Sequence, residues 1–243
     1  MITAQMTILP VLLLLIYVYR CDVCQKEPIG LLMKVFFYGF FAVSIGAIIG
    51  ESILTLLGGY FTDSEMTMRF LQFSVFAPFM EESLKFWVLV KLIWRNPNFD
   101  EYFDGIVYAA YVSLGFACLE NILYVIGGGM EVAVSRAIFS VPGHFFFSVI
   151  MGYFLALARF KPQKSHWYLG MAVSGAMAAH ACFNGILYVI DMDESIWSMI
   201  GFILFFLVLW RMAVTRLNRL SLLSRENWRL AENSIIAEEE ANG

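Results

Sequence analysis

Apolar positions in this chain fall in long unbroken runs, not in the alternation of a strand or the half-face periodicity of a surface helix. The runs cover residues 2–19, 30–57, 66–94, 103–126, 132–158, 167–190 and 196–213. A helix needs about 20 residues, at roughly 1.5 Å each, to cross about 30 Å of hydrocarbon. The pattern therefore predicts an all-α, polytopic integral membrane protein with about seven transmembrane helices. The connections (RCDVCQKEP, GGYFTDSE, RNPNFDEY, GGGME, KPQKSH and DMDES) are short, which implies antiparallel neighbours in one bundle. We expect residues 1–214 to form that bundle and residues 215–243 a cytoplasmic tail, basic and amphipathic at first and then acidic through Glu238, Glu239 and Glu240. The first run, Ile2 to Tyr19, has no basic stretch before it and no small-residue cleavage site, and Arg20 follows it. It reads as a retained helix, not a cleaved signal.

Charge then sets the orientation. The first, third and fifth connections carry Arg20, Lys26, Arg95, Lys161 and Lys164. The second, fourth and sixth carry Asp63, Glu65, Glu131, Asp191, Asp193 and Glu194, with no Lys or Arg. Arg211, Arg216, Arg219, Arg225 and Arg229 follow the last run. The positive-inside rule puts the N-terminus outside and the C-terminus in the cytoplasm.

Composition agrees. The 243 residues are 60% hydrophobic and 15% charged, against about 25% charged in ordinary soluble chains. The mean hydropathy is +0.72, so lipid is the fitting solvent. No basic stripe with interleaved aromatics is present, which argues against nucleic-acid binding. Cys21, Cys24, Cys118 and Cys182 form no disulfide framework.

Against this background the buried charges stand out. Glu81, Glu82 and Lys85 lie near mid-membrane in the third run, where each charge costs about 2.5–3.5 kcal/mol on insertion scales. Counting helical rise from the run ends puts Glu51, Glu120, Asn121, His144, His180 and Asn184 in the outer half of the bilayer, roughly 9–18 Å from its outer edge. Asp104 is the exception, at a cytoplasmic helix end. Carboxylates, histidines and asparagines on separate helices at one depth read as a single site facing outward. His180 and Asn184 are four residues apart and share a helix face. Arg136, Ser140, His144 and Ser148 also step by four. Lys85 is within reach of Glu81 and Glu82 and neutralises one of them. Pro78 and Pro142 precede the key residues and predict broken backbone lining a cavity. Gly170, Ser174, Gly175, Ala178 and Ala179 are expected to bring the sixth helix close to its partners. Glu51 follows Gly46-x-x-x-Gly50 and suits either packing or the site.

These residue types suit activation of a water, in one of two ways. Either Glu82, His144 and His180 hold Zn²⁺ beside another carboxylate acting as general base. Or Glu81 or Glu82 activates water without a metal, with His180 and Asn184 stabilising the oxyanion. HExxH, the serine GxSG motif and a paired-aspartate motif are all absent.

EESLK (81–85), FDGIVYAAYVSLGFACLENILY (103–124), PGHFFFSVIMGYFLA (142–156) and HACFN (180–184) together resemble the PrsW family of membrane proteases. That family is similar to the wider group of CAAX prenyl endopeptidases, in which a Glu pair is followed by a His and then HxxxN. The resemblance implies a membrane peptidase of the bacterial cytoplasmic membrane. It would make the site-1 cut of a membrane-anchored anti-sigma factor in regulated intramembrane proteolysis. It implies Glu81 and Glu82 as catalytic carboxylates, His144 and His180 as catalytic or metal-binding, and Asn184 as the HxxxN asparagine, with Lys85, Glu120 and Asn121 in support. The wider group has FxxxH, whereas here Ser140 stands four residues before His144. Two other readings compete: an ion- or proton-coupled transporter, since buried Glu and His also make proton relays, and an inactive scaffold of the same fold.

Overall fold

Every residue from Asp104 to Cys118 is buried, and the other helices pack around this stretch. The computed structural model describes residues 2–193 and 195–242. Glu194 and the side chains of Glu238, Glu239 and Glu240 lie outside the described residues. The α-helices are α1 (Ile2–Cys21), α2 (Ile29–Phe37), α3 (Ser44–Gly58), α4 (Glu65–Leu71), α5 (Ala77–Ile93), α6 (Asp104–Ser135), α7 (Val141–Phe160), α8 (Ser165–Asp193) and α9 (Ile196–Asn242). Single π-helical stretches, Tyr38–Val43, Gln72–Phe76 and Arg136–Ser140, join α2 to α3, α4 to α5 and α6 to α7.

All seven apolar runs are helical. Among the described residues, four helical stretches are long and apolar enough to cross a membrane: Ile29–Gly58, Asp104–Phe160, Pro162–Asp193 and Ile196–Ser234. The second holds two of the runs, divided at Gly129, whose φ of 70° is the left-handed conformation that a residue without Cβ adopts freely. The chain reverses there, so Gly105 on α6 meets Gly152 on α7. A Cβ on Gly105 would stand 2.6 Å from the carbonyl oxygen of Gly152. Small residues bring helix backbones together in this way where lipid offers no hydrophobic drive for association. Gly46 and Gly50 of α3 likewise accept Leu84 and Met80 of α5. The outside is apolar: Leu12, Leu13 and Ile16 on α1, Ile48, Ile49 and Ile53 on α3, and Leu204, Leu207 and Val208 on α9 are all exposed. Such a surface suits hydrocarbon as its solvent.

One local expectation, on α8, is corrected in part. On α8 the buried stripe is Ala172, Ala176, His180 and Asn184, each four residues after the last. Gly170, Ser174 and Ala178 lie off that stripe and are exposed, whereas Gly175 meets Ile150 and Ala179 packs against the core as expected. The tail expected over residues 215–243 begins as a continuation of the last helix. Helix α9 continues from Ile196 to Asn242 without a break, and Leu217, Leu220 and Ser224 are buried against the bundle.

Candidate active site

Helices α5 and α7 each follow directly on a π-helical stretch and carry a proline, Pro78 and Pro142, as their second residue. Proline has no N–H to continue the i→i−4 ladder, and an extra residue in the turn absorbs the misfit. Pro78 is followed three residues later by Glu81, and Pro142 two residues later by His144. The broken backbone that the sequence predicted is thus next to the candidate chemistry in both helices.

Glu81 and Glu82 on α5, His144 on α7 and His180 on α8 each bring one donor atom into a set within 4.8 Å of one another. All four are buried. His180 Nδ1 lies 3.0 Å from Glu82 Oε1 and 3.9 Å from Glu81 Oε2. Lys85 Nζ donates to Glu82 Oε1 at 2.7 Å and to Glu81 Oε2 at 3.4 Å, and it is 3.3 Å from His144 Nδ1. A lysine ammonium can only donate, so Nδ1 of His144 accepts and Nε2 carries the ring proton. That proton points to Glu120 Oε2, 2.8 Å away. Arg136 Nη2 lies 2.7 Å from the same carboxylate oxygen.

Aromatic rings wall the cluster. Phe147 stacks on His180 at 4.6 Å between centroids, and Phe116 lies under the Lys85 ammonium at 4.2 Å. Neither ring stood out in the sequence, although Phe116 is one helical turn before Glu120 and Phe147 is three residues after His144. The cluster borders a cavity of about 1310 Å³. Glu51, Glu81, Glu120, His144, His180 and Asn184 line it, and it runs to Arg69, Tyr188 and Asp191 at the end of the bundle that carries the acidic connections. Glu82 is fully buried behind it.

The two asparagines are committed to backbone contacts, and of the two only Asn184 borders the cavity. Asn121 donates to the carbonyl of Thr7 at 2.8 Å and accepts from Arg136 Nε at 3.0 Å, tying α1 to the Arg136–Glu120 pair. Asn184 borders the cavity, but its amide donates to the carbonyl of Phe73 at 2.8 Å. It thereby holds α8 to the π-helical stretch ahead of Pro78. Ser148 donates to its own helix, at Phe145, and takes no part in the cluster.

Two imidazoles with two carboxylates form a donor set suited to a catalytic zinc ion. Glu82 Oε2 is buried without a hydrogen-bond partner among the described residues, which leaves it available as a ligand. The residues present fit such an ion.

The model of the PrsW family of intramembrane metalloproteases matches residues 27–212. The chain is 36% identical over 203 residues to Protease PrsW of Bacillus subtilis (strain 168), covering 82% of this chain and 87% of that protein. It is 34% identical over 211 residues to Protease PrsW of Geobacillus kaustophilus (strain HTA426), covering 86% and 88%. Protease PrsW of Clostridioides difficile (strain 630) is 30% identical over 220 residues, covering 88% and 89%. No solved structure matches the chain. The buried Glu, Glu, His, His cluster belongs to a membrane peptidase, and the chain is a member of the PrsW family.

Proposed function

We propose that this chain crosses the bacterial cytoplasmic membrane seven times, N-terminus outside, and hydrolyses a peptide bond of a membrane-anchored protein near the outer surface. The observation that carries this reading is the convergence of Glu81, Glu82, His144 and His180 beside a cavity that reaches the acidic end of the bundle. The alternation of basic and acidic connections supports the orientation. The resemblance to PrsW proteases supports an anti-sigma factor as substrate, with this cut as the first step of regulated intramembrane proteolysis.

Glu81 borders the cavity and is the general base: it takes a proton from the attacking water and returns it to the leaving amine. Glu82, His144 and His180 would hold Zn²⁺. When bound, the ion supplies Lewis acidity to a carbonyl and to a water. Glu120 fixes the His144 ring so that Nδ1 faces the carboxylates. Lys85 offsets carboxylate charge that would otherwise be uncompensated at this depth. Asn184 keeps the backbone ahead of Pro78 in place.

The test is cleavage of a single-pass membrane substrate by the purified protein in lipid nanodiscs. Wild-type protein should cut it, and Glu81→Gln, Glu82→Gln and His180→Ala should each stop the cut while the helical fold persists. Full activity in all three would overturn the reading. Elemental analysis with chelation tests the metal: Zn²⁺ should co-purify and its removal should abolish cleavage. Activity in metal-free protein would overturn the zinc assignment alone.

A further inference from the structure

A second carboxylate cluster lies at the opposite end of the bundle, among the basic connections. Asp22 follows α1, Glu101 lies in the loop before α6, and Asp104 starts α6. One oxygen from each lies within 4.8 Å of the others. A second set, Glu27, Asp100 and Asp104, shares Asp104 with the first. Asp22 and Asp104 are completely buried and Glu27 is 4% exposed.

Few of these oxygens are satisfied. Asp104 Oδ2 accepts from the backbone N–H of Asp100 at 3.1 Å and of Glu101 at 2.8 Å, and the Tyr108 hydroxyl donates to Glu27 Oε2. Among the described residues no N–H or O–H donor meets hydrogen-bond geometry at either oxygen of Asp22, either oxygen of Glu101 or Oδ1 of Asp104; instead the carboxyls face one another, Asp22 with Glu101 and Glu27 with Asp104, and Cys24 and Ser224 approach Glu101. Lys26, the neighbouring cation, donates to the backbone carbonyls of Tyr19 and Asp22 and not to a carboxylate. Arg225 on α9 is exposed. The contrast with the active site is direct: there Lys85 is bonded to both buried glutamates. Uncompensated buried carboxylates are costly, and chains keep them neutral or bind a cation between them.

We propose that Asp22, Glu101 and Asp104 bind one hard divalent cation, of the Mg²⁺ or Ca²⁺ class, at the end of the bundle opposite the active site. The donor set is all oxygen, with no imidazole or thiolate, which favours these ions over zinc. The site joins separate parts of the chain. Asp22 follows α1, Glu101 precedes the central helix and Asp104 begins it, and the intervening Phe103 N–H donates to Ser224 Oγ on α9 at 3.0 Å. A bound ion fastens the first helix to the core beside the point where the last helix docks. It is a structural staple, separate from the catalytic cluster.

The experiment is thermal unfolding of the full chain in detergent after chelation, titrated with MgCl₂ and, separately, CaCl₂. At saturation the midpoint should rise by about 4 °C or more with at least one ion, and Asp22→Asn and Glu101→Gln should abolish the rise. Asp104→Asn, which keeps an oxygen for the two loop N–H groups, should weaken it. Glu82→Gln should keep it in full, which separates this site from the catalytic one. No shift in wild-type protein with either ion overturns the proposal. So does an equal shift in Asp22→Asn, or loss of the shift in Glu82→Gln. An Asp22→Asn protein that folds, is more stable than wild type and leaves an ion response unchanged assigns the cluster to carboxyls sharing protons, and also overturns it.

Discussion

Glu120 Oε2 lies 2.8 Å from Nε2 of His144, while Nδ1 of the same ring lies 3.3 Å from Lys85 Nζ. The carboxylate thus selects which nitrogen faces the glutamate pair, although it is outside the four-residue donor set. Removing such a partner from a ligating or catalytic histidine typically costs about 10–100-fold in activity or metal affinity. Glu120→Ala should lose cleavage by that factor, and chelator competition should show a matching loss of zinc affinity. Unchanged values for both would mean that Glu120 serves Arg136 alone.

Lys85 is fully buried with both glutamates in reach. Lys85→Met leaves two carboxylates at mid-membrane without their ammonium, and breaking a buried pair costs about 3–5 kcal/mol. The variant should accumulate poorly and unfold at lower temperature. Adding Glu82→Gln should restore much of the loss, because one of the stranded charges is removed. A double-mutant cycle read by thermal midpoint measures this coupling.

Asn184 anchors the π-helical stretch through the Phe73 carbonyl. Interhelical hydrogen bonds in membranes average only about 0.6 kcal/mol. Asn184→Ala should therefore lower stability slightly but reduce turnover much more, because the turn ahead of Pro78 and Glu81 loosens. Equal small losses in both would assign Asn184 to packing.

The crossing of α6 and α7 leaves no room for a side chain at Gly105, where an added Cβ would stand 2.6 Å from a backbone oxygen that cannot rotate away. Overpacking costs about 1–3 kcal/mol, and a contact with backbone falls at the upper end. Gly105→Ala should lower the unfolding midpoint, and Gly30→Ala, with open space around it, should not.

Much of this was legible in the sequence, for reasons that can be named. The apolar runs coincide with helices because no backbone polar group can go unpaired in lipid. Glu81, Glu82, His144 and His180, which the sequence placed on separate helices at a similar expected depth, do converge in the structure; buried charge of this kind is too costly to keep without partners. The i, i+3 and i, i+4 spacing of Glu81, Glu82 and Lys85 required their contact, as found. Asn121 shows the limit: it follows Glu120 directly, yet the next residue on a helix points about 100° away, and it faces α1. The stripe on α8 shows it again, because composition alone does not say which face of a helix rich in small residues meets the bundle.

By itself, the sequence determined the helical content, the apolar exterior and the residue types of the candidate site, because each follows from local period and from the cost of charge in hydrocarbon. Tertiary structure decided what depends on rotation and crossing of the helices. It put Glu81 at the cavity and Glu82 behind it, gave His144 its orientation through Glu120, and gathered Asp22, Glu101 and Asp104 into one cluster. No helical or strand period links those three, since they meet only when α1 docks beside the start of α6.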